Sequence, residues 1–207
     1  QIAIGVGGAG TIMRTINGGT SWTNQSSDTT DWLFGVHFPT TSVGYAVGEG
    51  GIIFKTTDGG ANWLPQTSGT INPLASVFAI DANTAYAVGV AGTILRTTNG
   101  GVLWESQTSG TFNGLYSIYG MSSTTAFIVG NGGTILRTTN GGTNWTSQTS
   151  GTVDWLQSIC FLDANTGYAA GYNGTILRTT NAGTTWTPLT SGVSYELTSI
   201  SFGDAST

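Results

Sequence analysis

The residues best suited to binding a ligand lie in two segments of the chain that vary between otherwise similar stretches. One of these segments carries Trp32 and Trp155, each directly after an aspartate, Asp31 or Asp154. Aromatic rings offer a flat apolar surface and carboxylates accept hydrogen bonds, a combination typical of sites that hold neutral sugars or peptides. Four further residues share this character: Tyr172, Tyr195, Glu49 and Glu196. We therefore predict a ligand-binding site made of these side chains.

A sequence repeat determines where these residues fall. A tryptophan recurs every 41 residues (63 − 22 = 41) without insertion, at Trp22, Trp63, Trp104, Trp145 and Trp186. A leucine recurs with the same period and is predicted to be a packing position, because all five copies are large and apolar: Leu33, Leu74, Leu115, Leu156 and Leu197. Within 74–114, four short β-branched or alternating runs are separated by Gly, Asn and Asp, which predicts four strands. We name them A to D, from the inner strand to the outer one. Four strands in a repeat of this length are typical of a propeller blade.

The number and phase of the repeats predict the architecture. Five repeats of 41 residues account for 205 of the 207 residues. We predict an all-β fold with one domain over 1–207, a closed five-bladed β-propeller with four-stranded antiparallel blades. The chain begins within a strand B and ends in a strand A without the rest of its blade. We therefore expect residues 197–202 to pair beside the strand that begins at Ile2 and complete the first blade. Closure removes the sheet edges that an open array must cap.

The variable residues fall on two connections in each repeat. The D-to-A connections cover 29–32, 70–73, 111–114, 152–155 and 193–196. The B-to-C turns cover 8–9, 49–50, 90–91, 131–132 and 172–173. Because strands alternate in direction, we expect both to emerge on one face, where a ligand site is favoured. At the repeat position of Trp32 and Trp155 the other blades carry Pro73, Gly114 and Glu196. Packing thus does not require tryptophan there, and we predict that both indoles are at least partly exposed.

The turns between strands C and D resemble the Asp-box, Ser/Thr-x-Asp-x-Gly-x-x-Trp. They cover 15–22, 56–63, 97–104, 138–145 and 179–186. Only Asp58 is an aspartate and the other four repeats carry asparagine, but either side chain can hold the turn by bonding nearby backbone. The longer consensus, GYAVGxxGTILRTTNGGxxWxxQTSGTxxxLxSIxFxDANT, is similar to the photosystem II assembly and stability factor family of β-propellers over nearly the whole chain. This resemblance implies a non-catalytic protein-binding scaffold, with the repeated basic residue before the box as a surface feature.

Composition excludes several classes of partner. Charged residues make up 7%, with 5 basic against 10 acidic residues and a net charge of −5, which disfavours nucleic acid and anionic membranes as partners. No apolar run is long enough to span a membrane. The lone Cys160 cannot form an internal disulfide, and no Cys/His spacing fits zinc. We expect a soluble monomer without metal or cofactor, processed or excised from a longer chain. The compartment stays open, with secretion and a periplasmic or lumenal location as alternatives.

A glycosidase of the sialidase-like class is the enzymatic alternative. All five basic residues occupy one repeat position, on strand C: Arg14, Lys55, Arg96, Arg137 and Arg178. One per blade and outside the inner strand, they do not easily converge on one carboxylate. We expect each to bond loop carbonyls beside the box, with a basic binding ring as the alternative. His37 and Cys160 share a repeat position in non-adjacent blades, so packing is expected rather than catalysis. We predict a non-enzymatic recognition module with no catalytic residue, binding a protein or, alternatively, a glycan.

Overall fold

The structure is a computed structural model that describes residues 1–202. The described chain is all-β, with five antiparallel sheets and short 3-10 turns. It divides into two compact units. Unit 1 comprises residues 1–89 and 94–106, and unit 2 comprises residues 90–93 and the described chain from 107 onward.

Unit 1 carries the first three sheets, with strand pairing in chain order. The first sheet has the strands β1 (Ala3–Val6), β2 (Ile12–Thr15) and β3 (Thr23–Gln25). The second has β4 (Leu33–His37), β5 (Gly44–Gly48), β6 (Ile53–Thr56) and β7 (Leu64–Gln66). The third has β8 (Leu74–Ala79), β9 (Ala85–Gly89), β10 (Ile94–Thr97) and β11 (Glu105–Gln107), whose last residue falls in unit 2.

Unit 2 carries the remaining two sheets. The fourth sheet has β12 (Leu115–Gly120), β13 (Ala126–Gly130), β14 (Ile135–Thr138) and β15 (Thr146–Gln148). The fifth has β16 (Leu156–Phe161), β17 (Gly167–Gly171), β18 (Ile176–Thr179) and β19 (Thr187–Leu189). In sheets two to five, the turn between the second and third strands is a single 3-10 turn: Glu49–Gly51, Val90–Gly92, Asn131–Gly133 and Tyr172–Gly174.

Five antiparallel sheets, one per repeat, are consistent with a five-bladed propeller and confirm the all-β prediction. The first sheet differs from the predicted four-stranded blade. It has three strands, and residues 190–202 form no strand that could be its fourth. Instead, Leu197 N–H donates to the Gly171 carbonyl (2.9 Å), as Leu33 N–H donates to Gly7 (3.0 Å). The segment thus contacts the preceding sheet as a strand A does, without a ladder of its own. Ring closure and a single domain over 1–207 stay predictions, and residues 203–207 lie outside the described part.

The repeated leucine and isoleucine form the cores of the sheets. The fully buried members are Ile12, Ile53, Leu74, Ile94, Leu115, Ile135 and Leu156. In unit 1, Ile53 of the second sheet packs in one core with Leu74 of the third, and in unit 2, Ile135 of the fourth sheet packs with Leu156 of the fifth. This burial confirms the prediction that the repeated leucine is a packing position in sheets two to five, and the core fixes where the adjacent connections lie.

The Asp-box turns are held by a shared set of hydrogen bonds. In the fourth sheet, Thr138 Oγ1 accepts from Gly142 N–H (2.9 Å) and donates to Asn140 Oδ1 (3.0 Å), which accepts from Asn144 N–H (3.0 Å). The box tryptophan is buried in four repeats, but Trp22 is 44% exposed. In unit 1, the buried Trp104 ring packs edge-on against Tyr45 of the preceding sheet, with the centroids 5.8 Å apart.

Candidate ligand-binding site

Backbone hydrogen bonds join D-to-A connections to the B-to-C turns beside them. In unit 2, Tyr172 N–H donates to the Trp155 carbonyl (2.9 Å), and Gly133 N–H donates to the Asp154 carbonyl (2.8 Å). The connection 152–155 is therefore hydrogen-bonded both to the turn of its own sheet and to the turn of the preceding sheet. The side chains of Trp155 and Tyr172 come into contact beside these bonds.

An aromatic corner stands where this connection meets the turn of the fifth sheet. We give that name to the side chains of Tyr116, Trp155 and Tyr172. The ring centroids of Trp155 and Tyr172 are 5.2 Å apart with 57° between the planes, and those of Trp155 and Tyr116 are 6.1 Å apart with 40° between the planes. Trp155 is 43% exposed. The indole thus packs against both tyrosine rings in a tilted geometry and stays accessible to solvent.

Sequence reasoning missed Tyr116, which lies in a strand rather than in a connection. The pairing of β12 with β13 shifts register between Leu115 and Ser117, so Tyr116 is the extra residue of a β-bulge. A bulge re-aims the side chain that it carries. The signal was present in the repeat, since this position varies strongly while the leucine before it does not: Phe34, Ala75, Tyr116, Gln157 and Thr198.

Asp154 has a structural role that sequence reasoning did not predict. Its carboxylate accepts hydrogen bonds from Asn173 Nδ2 (2.7 Å), Thr175 Oγ1 (2.7 Å) and Thr152 Oγ1 (3.1 Å). These bonds, the one from Thr175 foremost, hold the pKa of Asp154 below its usual value. The carboxylate therefore stays ionised and fixes the turn that carries Tyr172.

The equivalent residues of unit 1 form a smaller arrangement. Trp32 is 58% exposed and lies over the backbone of Gly8, where an added Cβ would be 3.2 Å from the indole. Glu49 Oε2 accepts from Trp32 N–H at 3.5 Å, and Asp31 is exposed. The predicted exposure of both tryptophans is confirmed. A ligand role for Trp32, Asp31 and Glu49 stays a prediction.

The last predicted residues lie on the connection after β19. Tyr195 is 79% exposed and forms no ring contact within residues 1–202, and Glu196 is exposed. Gly174 N–H donates to the Tyr195 carbonyl (2.7 Å), which places this connection beside the turn of the fifth sheet. The structure therefore brings Asp154, Trp155 and Tyr172 into one contact group and leaves Tyr195 and Glu196 outside it.

The repeated basic residues act within the scaffold. Arg14 Nε donates to the Gly59 carbonyl (2.8 Å) and Lys55 Nζ to the Gly100 carbonyl (2.6 Å), each in the Asp-box of the next sheet. The guanidinium carbon of Arg137 lies 5.6 Å from the ring centroid of Phe127. For Arg14 and Lys55, the prediction that these cations bond box carbonyls is confirmed.

His37 and Cys160 are both packing residues. The His37 ring stacks on Phe78 with centroids 4.2 Å apart, and its Nδ1 accepts from Ala79 N–H (3.2 Å). Burial raises the pKa of the Cys160 thiol to about 11, so the thiol is protonated at neutral pH. A protonated, buried thiol does not supply the thiolate that nucleophilic catalysis by cysteine needs.

Acidification below pH 6.5 is expected to destabilise the protein through His37. Burial lowers the pKa of His37 from 6.5, and the bond from Ala79 requires an unprotonated Nδ1. Below pH 6.5 the unfolded chain therefore binds a proton that the folded chain does not bind. The contribution of His37 to the free energy of unfolding is fully present above pH 6.5 and is lost as the pH falls towards the folded pKa. We expect a loss of about 1 kcal/mol or less between pH 7 and 5.5.

Thermal melts at these two pH values test this expectation. The matched variant is His37→Phe, because the next repeat carries Phe78 at the same position. An equal drop in melting temperature for the wild type and the variant contradicts the assignment to His37.

Among residues 1–202, no group of three or more His, Cys, Asp or Glu side chains is placed to hold a metal ion. No helix in the described part of the chain has the length and apolar character that crossing a membrane requires.

Comparison with protein families gives a match over most of the chain. The family described as photosynthesis system II assembly factor YCF48 matches residues 3–118 and 65–151. The chain belongs to this family. The YCF48 family match covers the first three sheets and the fourth, including Tyr116. A comparison of the sequence with curated proteins finds no match.

Solved structures share the fold of this YCF48-family chain. YCF48 from Cyanidioschyzon merolae is 19% identical with a TM-score of 0.78, covering 99% of this chain and 74% of that one. A structure of YCF48 bound to D1 peptide is 20% identical with a TM-score of 0.53, covering 91% and 77%. The GH74 xyloglucanase from Xanthomonas campestris is 13% identical with a TM-score of 0.70, covering 88% of this chain and 34% of the enzyme. At these identities the similarity concerns the fold.

Proposed function

We propose that this chain is a non-enzymatic recognition module that binds a protein partner through its D-to-A connections and B-to-C turns. The observation that carries the proposal is the aromatic corner, where an indole 43% exposed is held in place by two tyrosines and a rigid connection. Rigid, partly exposed aromatic side chains are the residues that anchor protein interfaces. The family match to an assembly factor and the structure of YCF48 with D1 peptide support a peptide or protein as ligand.

Site-specific photo-crosslinking tests the proposal. A benzophenone amino acid is placed at Val153, which is 83% exposed on the connection beside Trp155. The control places it at Ala164, an exposed residue beyond the opposite end of β16. Each protein is irradiated in lysate of the organism that encodes the chain. We expect discrete adducts from position 153 only. An excess of unlabelled wild-type protein should prevent their formation, whereas an excess of unlabelled Trp155→Gly should not.

Two results contradict the proposal. One is the same adduct pattern from positions 153 and 164, which indicates non-specific capture. The other is binding on a neutral-glycan array that Trp155→Gly abolishes, without protein adducts, which favours the glycan alternative. Gly is a suitable replacement because Gly114 occupies the same repeat position.

A further inference from the structure

The rings of the aromatic corner are not required by the fold. At the position of Tyr116 other repeats carry Ala75 and Gln157, and at that of Tyr172 they carry Gly8 and Asn131. At the position of Trp155 they carry Pro73 and Gly114. The repeat therefore folds with small or polar residues at all three sites. Three aromatic rings meet at one junction of unit 2 without serving the packing that the repeats share.

The charged residues on the connections and turns of unit 2 are acidic. Within the D-to-A connections and B-to-C turns of unit 2, the charged residues are Asp154 and Glu196. The basic residues of unit 2 lie on β14 and β18, where Arg137 and Arg178 are directed over the rings of Phe127 and Tyr168. No cation of this unit within residues 1–202 contacts the corner's rings, and the ionised carboxylate of Asp154 is fixed to Asn173, next to Tyr172.

Aromatic faces next to a carboxylate attract a cation more than a neutral ligand. The ring quadrupole attracts a guanidinium or ammonium group within about 6 Å of the centroid. The protein already shows this geometry with its own cations, since Lys55 Nζ lies 5.6 Å from the centroid of Tyr45 and the guanidinium carbon of Arg96 lies 5.7 Å from that of Tyr86. The tilt of 57° between Trp155 and Tyr172 prevents flat stacking of these two rings on each other.

We infer that the aromatic corner of Tyr116, Trp155 and Tyr172 receives an arginine or lysine side chain, so that the partner presents a basic segment to this connection. The inference rests on the proposed function and specifies the chemistry of the partner. It is based on three observations. The fold does not need the three rings, the carboxylate of Asp154 is fixed next to them, and the charged residues on the surrounding connections are acidic.

Short peptides of defined charge test the inference. The probes are acetyl-Gly-Ser-X-Ser-X-Ser-Gly-amide with X as Arg, Lys or Gln, titrated while the Trp155 indole N–H is followed by NMR. The variants Tyr116→Ala, Trp155→Gly and Tyr172→Asn each introduce a residue that another repeat carries at that position. For the variants that retain Trp155, the same resonance is followed, and calorimetry measures Trp155→Gly. Phe112→Ala is the control, because Phe112 is 93% exposed on the neighbouring connection and outside the corner.

We expect the Arg and Lys peptides to shift the Trp155 resonance and the Gln peptide to leave it unchanged. Loss of one ring is expected to weaken binding of the Arg peptide by about 3- to 30-fold, the equivalent of one cation–π contact. Asp154→Asn and a higher salt concentration are each expected to weaken binding of the Arg peptide as well, whereas Phe112→Ala is expected to have no effect on it. Equal binding of Gln and Arg peptides, or a response only to a neutral oligosaccharide such as cellotetraose, overturns the inference.

The two proposals fail in different ways. If position 153 gives Trp155-dependent adducts while Arg and Gln peptides bind alike, the proposed function stands and the cationic chemistry is wrong. If positions 153 and 164 give the same adducts, or if position 153 gives none while a neutral glycan binds through Trp155, the protein-binding function is wrong whatever the peptides do. Melting curves of the variants identify any loss of binding that comes from unfolding.

Discussion

Gly133→Ala is expected to destabilise the protein by about 3 kcal/mol or more, because both the backbone conformation and the space around it exclude a side chain. Gly133 has φ +67°, a region that L-residues rarely adopt. An added Cβ would overlap the carbonyl oxygen of Thr152 and lie 2.7 Å from Ser150 Oγ. To relieve this overlap, the connection 152–155 has to move away from the turn. That movement breaks the bond from Gly133 N–H to the Asp154 carbonyl.

The matched control is the residue before it. Gly132 also has a positive φ, +62°, but the nearest atom to an added Cβ is Asn113 Nδ2 at 3.5 Å, an ordinary contact. Other repeats carry Ala9 and Ala91 at this position with φ +53°. Gly132→Ala is therefore expected to cost about 1 kcal/mol or less. Urea unfolding of both variants compares them, and equal losses contradict the steric argument for Gly133.

Leu156→Ala is expected to cost about 2 to 5 kcal/mol, because it removes a fully buried side chain and leaves a cavity. Leu156 packs in the core of unit 2 with Phe127, Val129 and Ile159. The adjacent Trp155→Ala is expected to cost about 1 kcal/mol, since the indole is 43% exposed and loses mainly its edge contacts with two tyrosines.

Neighbouring residues thus separate stability from binding. Denaturant unfolding gives the two free energies, and the photo-crosslinking assay gives the binding of each variant. Leu156→Ala is expected to lower the free energy of unfolding strongly. Trp155→Ala is expected to melt close to the wild type but to lose binding. If Trp155→Ala unfolds as readily as Leu156→Ala, the indole is a core residue and the site loses its anchor.

The proposed site could be located from the sequence only in part. The exposure of Trp32 and Trp155 followed from comparing repeats, since Pro73 and Gly114 at the same position exclude a shared packing role. The membership of Tyr116 did not follow, because a bulge in β12 directs this strand residue to Trp155. Bulges depend on how two strands pair, and the residues of one strand do not reveal that register.

Asp154 shows the same limit for electrostatics. The sequence places this carboxylate beside an aromatic ring and predicts that it accepts hydrogen bonds. Its partners Asn173 and Thr175 are 19 and 21 residues away, and they meet it only because the turn of the fifth sheet folds back on the connection. The tertiary structure therefore gives Asp154 a role that the sequence did not predict, as the acceptor that fixes the turn of the fifth sheet.

The sequence by itself determined the repeat, the four strands of sheets two to five, the Asp-box turns and the buried leucines of those sheets. These features are local, because period, turn chemistry and alternation act within one repeat of 41 residues (63 − 22 = 41) and recur in the next. The tertiary structure decided which rings meet, which carboxylate is fixed and where each repeated cation bonds. Those contacts join residues of different sheets, as Lys55 and Gly100 do, and their geometry depends on how neighbouring sheets pack.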